Sequence, residues 1–160
     1  MAVERRGAGR RPRGLRLGLG LLAALLVVAG CSAPPLLPEL ATAEAHEARG
    51  RVEPALRAYR RAQRSCRDQR VARRRRDTCA QAWLGEAQLL EREGRTTEAI
   101  AVYAATPAAL EGDPPPSAQA AFKAGQLELA AGEDAAAYRW LWRAVSDWPA
   151  EAFAGDAIAL

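Results

Sequence analysis

The chain is short of the groups on which most protein chemistry depends. It has one histidine, His46, and three cysteines, Cys31, Cys66 and Cys79. A zinc site wants four ligands, and His46 lies far in sequence from the cysteine pair, which argues against a metal centre. No nucleophile stands beside a candidate base. Glu91 and Glu93 are two residues apart, about 200° around a helix, so they do not form a carboxylate pair. Gly18-Leu19-Gly20 lies inside an apolar run rather than in a phosphate-cradling loop. These absences give no reason to expect an enzyme, a cofactor or a small-molecule substrate. β-Branched residues are scarce and apolar residues seldom alternate, which argues against sheet. Abundant Ala and Leu favour helix throughout. A membrane-spanning run is also lacking. The longest apolar stretch, Leu15–Ala29, covers about 15 residues, roughly 22 Å as a helix, where a span wants about 20 residues.

That stretch has a different logic. Arg5, Arg6, Arg10, Arg11, Arg13 and Arg16 precede or open it, and small residues Ala29-Gly30 close it before Cys31. A positive end, a short apolar core and small residues at the boundary are the layout of a secretory signal. Val28-Ala29-Gly30-Cys31 resembles the lipobox of bacterial lipoproteins. The resemblance implies cleavage before Cys31 and a covalent lipid on that cysteine, with no other cofactor. Each buried acyl methylene is worth about 0.8 kcal/mol and one chain binds only marginally. The two or three chains of the lipoprotein family give a lasting membrane anchor. Ser32 rather than Asp after the cysteine implies the periplasmic face of the outer membrane. The Arg10-Arg11 pair fits a twin-arginine signal poorly, because Pro12 and Gly14 follow it.

The signal changes the charge argument. The whole chain carries a net charge of +4, but residues 1–30 hold six Arg and one Glu, leaving 17 basic and 18 acidic residues beyond them. The high overall isoelectric point is therefore no sign of a nucleic-acid partner. The remaining 130 or so residues suffice for one domain. In an oxidising compartment Cys66 and Cys79 form either a disulfide, contributing roughly 3 kcal/mol, or two half-buried thiols at the ends of neighbouring helices.

Residues 31–38 hold the cysteine and a Pro-rich tether, Ser32-Ala33-Pro34-Pro35-Leu36-Leu37-Pro38. Helical segments follow, punctuated by Gly50, Gly94 and Gly132, each of which ends a helix and opens a tight turn. Pro54 suits the first turn of its helix, and Ser117, after the Gly112–Pro116 break, reads as an N-cap. Apolar stripes at helical spacing run through Val52, Ala55, Leu56, Tyr59, Ala62 and Cys66; through Ala80, Trp83, Leu84, Ala87 and Leu90; and through Ala137, Trp140, Leu141, Ala144, Val145 and Trp148.

Aligned on their glycines the segments repeat: Gly50–Ala55–Tyr59–Ala62, Gly94–Ala99–Tyr103–Thr106 and Gly132–Ala137–Leu141–Ala144. Trp83 and Ala87 add to the second unit, and Gly125 and Pro149 to the third. This pattern resembles the tetratricopeptide repeat over residues 39–149. It departs in spacing, with 44 and 38 residues between successive glycines against about 34 in the family. Thr42-Ala43 also stands where Leu-Gly is usual. The resemblance implies an all-α fold of antiparallel helix pairs stacked as a short solenoid across residues 39–160, about three repeats plus a terminal helix. The alternative is a generic Ala-rich helical bundle. The run Trp148-Pro149-Ala150-Glu151-Ala152-Phe153-Ala154-Gly155-Asp156-Ala157 resembles repeat junctions of lipoproteins and periplasmic proteins of outer-membrane assembly, and is expected to open that terminal helix.

Two surfaces are candidates for function. The resemblance implies a concave groove holding a peptide or helix of an envelope protein, lined by Leu40, Glu44, Glu47, Leu84, Gln88, Glu91, Phe122, Gln126 and Leu129. The Lys/Asn/Arg set with which some family members clamp a C-terminal carboxylate is absent. His46 takes the slot of a core aromatic, and Trp142, off the core stripe, is either a partner anchor or packing. The second surface is basic. From Arg57 to Arg76 there are ten Arg and one acid, Asp68, a local net charge of +9. Arg57, Arg60, Arg61 and Arg64 lie opposite an apolar stripe, and Arg73, Arg74, Arg75 and Arg76 follow. Such a run is either a solvated face paired with acids elsewhere or a patch for anionic lipid or polysaccharide. No aromatics interleave it as they do in nucleic-acid binders. The sequence thus yields two expectations: a non-enzymatic outer-membrane scaffold for envelope assembly, of the kind that serves β-barrel insertion or secretin assembly, or a tether that binds anionic lipid or polysaccharide.

Overall fold

The computed structural model describes residues 37–151. The signal-like segment, Cys31 and the start of the tether, and the expected terminal helix beyond residue 151 lie outside the described residues. Within them the fold is all-α: α1 (Pro38–Glu47), α2 (Val52–Ser65), α3 (Gln69–Arg74), α4 (Arg76–Arg92), α5 (Thr96–Ala109), α6 (Pro114–Ala130) and α7 (Asp134–Asp147), with no strand among the described residues. Pro38, expected to close the tether, instead begins α1, where its missing N–H costs nothing.

The glycine turns have one geometry. Gly50, Gly94 and Gly132 have φ of 66°, 70° and 79°, a region L-residues avoid. Each glycine N–H donates to the carbonyl three residues back, at Glu47, Glu91 and Leu129. The next N–H, of Arg51, Arg95 and Glu133, donates to the carbonyl five back, at His46, Leu90 and Glu128. This is the Schellman arrangement, and it closes α1, α4 and α6 alike. The break after α5 differs from expectation. Ser117 is not the N-cap of α6 but sits buried inside it, while Pro114, Pro115 and Pro116 fill the first turn after Asp113. Three prolines fit there because the first helical N–H groups need no partner within the helix.

Packing follows the chain. α1 packs on α2, α4 on α5, α5 on α6 and α6 on α7, whereas α2 passes over α3 to pack on α4. One core cluster gathers Leu40, Leu56, Tyr59, Leu89, Leu90 and Tyr103 among alanines of α1, α2, α4, α5 and α6. A second, between α6 and α7, holds Ala118, Ala121, Phe122, Ala144 and Trp148, with Trp140, Leu141 and Val145 partly buried against it. The α2 stripe enters the first cluster, and Trp140, Leu141, Ala144, Val145 and Trp148 of the α7 stripe the second; on α4, Leu84, Ala87 and Leu90 reach the first core together with Cys79, Ala82 and Leu89, while the expected Ala80 and Trp83 belong to neither cluster. α3 was not foreseen. None of its residues is buried, and it is capped by Asp68, whose carboxylate accepts from the Arg70 N–H at 2.8 Å. Cys66 and Cys79 flank it with their sulfurs paired as a disulfide and their Cα atoms 5.7 Å apart.

Candidate functional site

Small residues bring the helices close enough to build polar joints between them. Tyr59 lies against Gly85 of α4 so closely that a Cβ there would stand 2.6 Å from Tyr59 Cε1. That approach carries the Tyr59 hydroxyl to Glu47, to which it donates at 2.6 Å. Arg92 pairs with the other Glu47 oxygen. The same joint recurs 44 residues on. Tyr103 donates to Glu91 at 2.9 Å, and Lys123 reaches Glu91 at 3.2 Å. In each joint a carboxylate three residues before a turn glycine takes a tyrosine from the following helix and a cation further along the chain. Burial, with the adjacent carboxylate adding to it, holds both phenols well above their ordinary range. The third unit breaks the pattern: Leu129 and Leu141 stand where Glu and Tyr stand before.

A further polar joint lies between α2 and α4. Glu86 is only 2% exposed. Its two oxygens accept from Arg60 Nε at 2.5 Å and Gln63 Nε2 at 2.6 Å, and Gln63 also donates to the Ala82 carbonyl at 3.1 Å. Sequence reasoning missed Glu86. The signal available was a carboxylate beside Ala87 on the α4 stripe, opposite Arg60 and Gln63 one turn apart. At the other end of the helices, Arg95 links Glu53 and Glu98, each at 2.7 Å, and holds the Glu98 carboxyl below its ordinary range.

The expected groove is only partly a surface. Leu40 and Phe122 are 6% and 8% exposed and belong to the two cores, so neither offers an exposed contact. They are buried because α2 and α7 pack over the apolar faces of the helices that carry them. Leu84 is half-buried against the first core. Glu44 and Leu129 are exposed, and Gln88 and Gln126 half-buried. Glu47 and Glu91 are engaged in the tyrosine joints. Glu44, Glu47, Tyr59, Leu89 and Arg92 line a cleft of about 450 Å3. His46 is half-buried, with Nδ1 enclosed and lacking a hydrogen-bond partner. Trp142 is 60% exposed and stacks on Tyr138, itself 67% exposed, with ring centroids 6.3 Å apart.

The basic surface is less neutralised than a solvated charge run usually is. Of its ten arginines, Arg60 and Arg76 alone have an ion-pair partner among the described residues, Glu86 and Asp113 respectively. Arg57, Arg61 and Arg64 are exposed on the outer face of α2, and Arg67, Arg70, Arg73 and Arg74 on the segment around α3, while Arg75 is half-buried. Between that segment and the α5–α6 turn lies a second cleft, of about 440 Å3. Among the described residues no group of three or more His, Cys, Asp or Glu is placed to hold a metal ion, and no helix is long and apolar enough to cross a membrane. A scan against protein-family models finds no match for the chain, and a search of curated proteins likewise finds none.

Proposed function

We propose that the protein is a non-enzymatic helical-repeat scaffold of the cell envelope, anchored by lipid at Cys31 on the periplasmic face of the outer membrane. The supporting observation is the repetition, at an interval of 44 residues, of the turn glycine and the Glu–Tyr hydrogen bond, with a cation from later in the chain on each glutamate. A repeat of both turn geometry and side-chain chemistry favours tetratricopeptide-like pairs stacked in series over a generic bundle. Helices that pack on their chain neighbours fit the same picture. In such a stack the accessible part of the groove, exposed Glu44 with half-buried Gln88 and Gln126, receives an extended or helical segment of an envelope protein. Photo-crosslinkers placed at Glu44 and Gln88 in cells should capture one discrete protein, and Glu44→Arg with Gln88→Arg should abolish that product. An unchanged product, or none from either site, would retire the groove. Cys31→Ser should move the protein out of the membrane fraction, and retention there would remove the lipid anchor.

A specific observation favours a second reading. Eight arginines between Arg57 and Arg76 have no ion-pair partner among the described residues. Near an anionic surface each basic residue contributes about 1 kcal/mol within a Debye length. In this reading the repeats present a basic face to anionic lipid or polysaccharide.

A further inference from the structure

The cleft beside the disulfide gathers features that the groove does not use. One wall carries Arg67, Arg73 and Arg76, with Cys66 and Cys79 beside them, and the other is the turn from Ala108 to Pro114. Arg67 and Arg73 have no ion-pair partner among the described residues. Arg76 meets Asp113 at 3.5 Å, with its own side chain 63% exposed. The opposite wall is braced: Trp148 Nε1 donates to the Gly112 carbonyl at 3.3 Å. The arginine wall is braced differently. α3 fully buries no residue, with Val71 only partly buried against the first core, so the disulfide ties together the two ends of the segment that carries Arg67 and Arg73.

We propose that this cleft binds a phosphate group through Arg67, Arg73 and Arg76, and that the Cys66–Cys79 disulfide sets the arginines in place. The proposal rests on the second reading above, in which the arginine surface is the working one. Guanidinium forks match phosphate oxygens in pairs, and the volume lies within the range of about 300–1,000 Å3 usual for small-ligand sites. Asp113, whose side chain is 12% exposed, competes for Arg76 across 3.5 Å, while the Arg76 side chain is 63% exposed and free to turn toward a doubly charged anion. A single phosphate fits this arrangement. A run of phosphates would meet the Glu111 and Asp113 carboxylates on the far wall.

The test uses the full chain in a neutral detergent at low salt, titrated calorimetrically with inorganic phosphate and, separately, with soluble dihexanoyl-phosphatidylglycerol. Arg67→Gln with Arg73→Gln should weaken binding by about tenfold or more, the loss expected for two charge-assisted contacts. Arg57→Gln with Arg61→Gln removes the same charge from the outer face of α2 and should leave affinity within about twofold, the most that exposed, screened charges contribute at that distance. Preference for inorganic phosphate marks a free phosphate as the ligand, and preference for the phosphatidylglycerol marks a lipid headgroup. Bound phosphate should also slow reduction of the disulfide by dithiothreitol, a readout that needs no cysteine variant to fold. Cys66→Ser with Cys79→Ser, if helical by circular dichroism, should bind more weakly than the native chain. Equal losses from the two arginine pairs would overturn the cleft while leaving the basic surface standing. No binding of either probe by the native chain would overturn both. Unprotected reduction would separate the disulfide from the site.

Discussion

Replacing Gly85 by Ala sets two effects of known sign against each other. Gly in a helix interior costs about 1 kcal/mol relative to Ala, so the substitution should stabilise α4 wherever there is room. Here there is none. The new Cβ would lie 2.6 Å from Tyr59 Cε1, 2.9 Å from Cζ and 3.0 Å from the hydroxyl oxygen. The ring has little freedom to retreat, because Tyr59 is 4% exposed and its hydroxyl is tied to Glu47. Overpacking of this kind costs about 1–3 kcal/mol, and a pinned ring belongs at the upper end. The steric cost therefore wins, and Gly85→Ala should destabilise by about 1–2 kcal/mol once the propensity gain is subtracted. Urea unfolding followed by circular dichroism, with the disulfide intact, reads this as a lower midpoint at unchanged slope. A second background isolates the cause. With Tyr59→Leu the ring is gone, and the same Gly85→Ala change should become neutral or stabilising, a change of sign that only direct contact produces. A gain of about 1 kcal/mol in the native background, or identical effects in both, would refute the close approach of α2 to α4.

Two other outcomes follow from the polar joints. Glu86→Gln should cost about 1–3 kcal/mol, because both carboxylate oxygens accept and an amide must turn a donor toward Arg60 or Gln63. Arg60→Gln should cost less, since the Arg60 side chain is 46% exposed while that of Glu86 is 3% exposed; the reverse order in urea unfolding would count against the joint. Raised phenol pKa values mean that the folded chain holds protons the unfolded chain releases above about pH 10. Stability should therefore be intact below that pH and fall above it by up to about 1.4 kcal/mol per pH unit for each tyrosine. Tyr59→Phe with Tyr103→Phe should flatten the decline, and an unchanged alkaline slope would remove these tyrosines as its cause.

What the sequence revealed and what it hid have physical reasons. The turns at Gly50, Gly94 and Gly132 were legible because a left-handed C′ position favours one residue type strongly enough to leave a mark. The stripes of α2, α4 and α7 were legible because each buries one face. α3 was not, since a six-residue helix with no buried residue has no periodicity to detect. It is also the physical source of the wide spacing between Gly50 and Gly94: the chain makes an excursion between Cys66 and Cys79 while α2 packs directly on α4. Ser117 was misplaced because an N-cap preference in sequence does not reveal that three preceding prolines have already begun the helix. Leu40 and Phe122 show the limit of carrying groove positions over by resemblance. A family pattern marks a position on a helix, but the neighbouring helix decides whether an apolar side chain there faces solvent or core.

The segment after the third turn glycine differs from the two before it. Around Gly50 and Gly94, a carboxylate before the turn glycine is shared between a tyrosine and a cation from further along the chain, so each joint ties three helices together. At Leu129 and Leu141 the carboxylate and the hydroxyl are both replaced by apolar groups. α7 correspondingly displays Tyr138 and Trp142, stacked and mostly exposed, where α2 and α5 bury Tyr59 and Tyr103. The polar joints thus lie among α1, α2, α4, α5 and α6, and the exposed aromatic pair lies on α7. Six of the ten basic-surface arginines, from Arg67 to Arg76, lie on the excursion between Cys66 and Cys79, whereas Arg57, Arg60, Arg61 and Arg64 lie on α2. A chain can vary such an excursion without disturbing the packing of α2 on α4, because the disulfide and the α2–α4 contact hold its two ends.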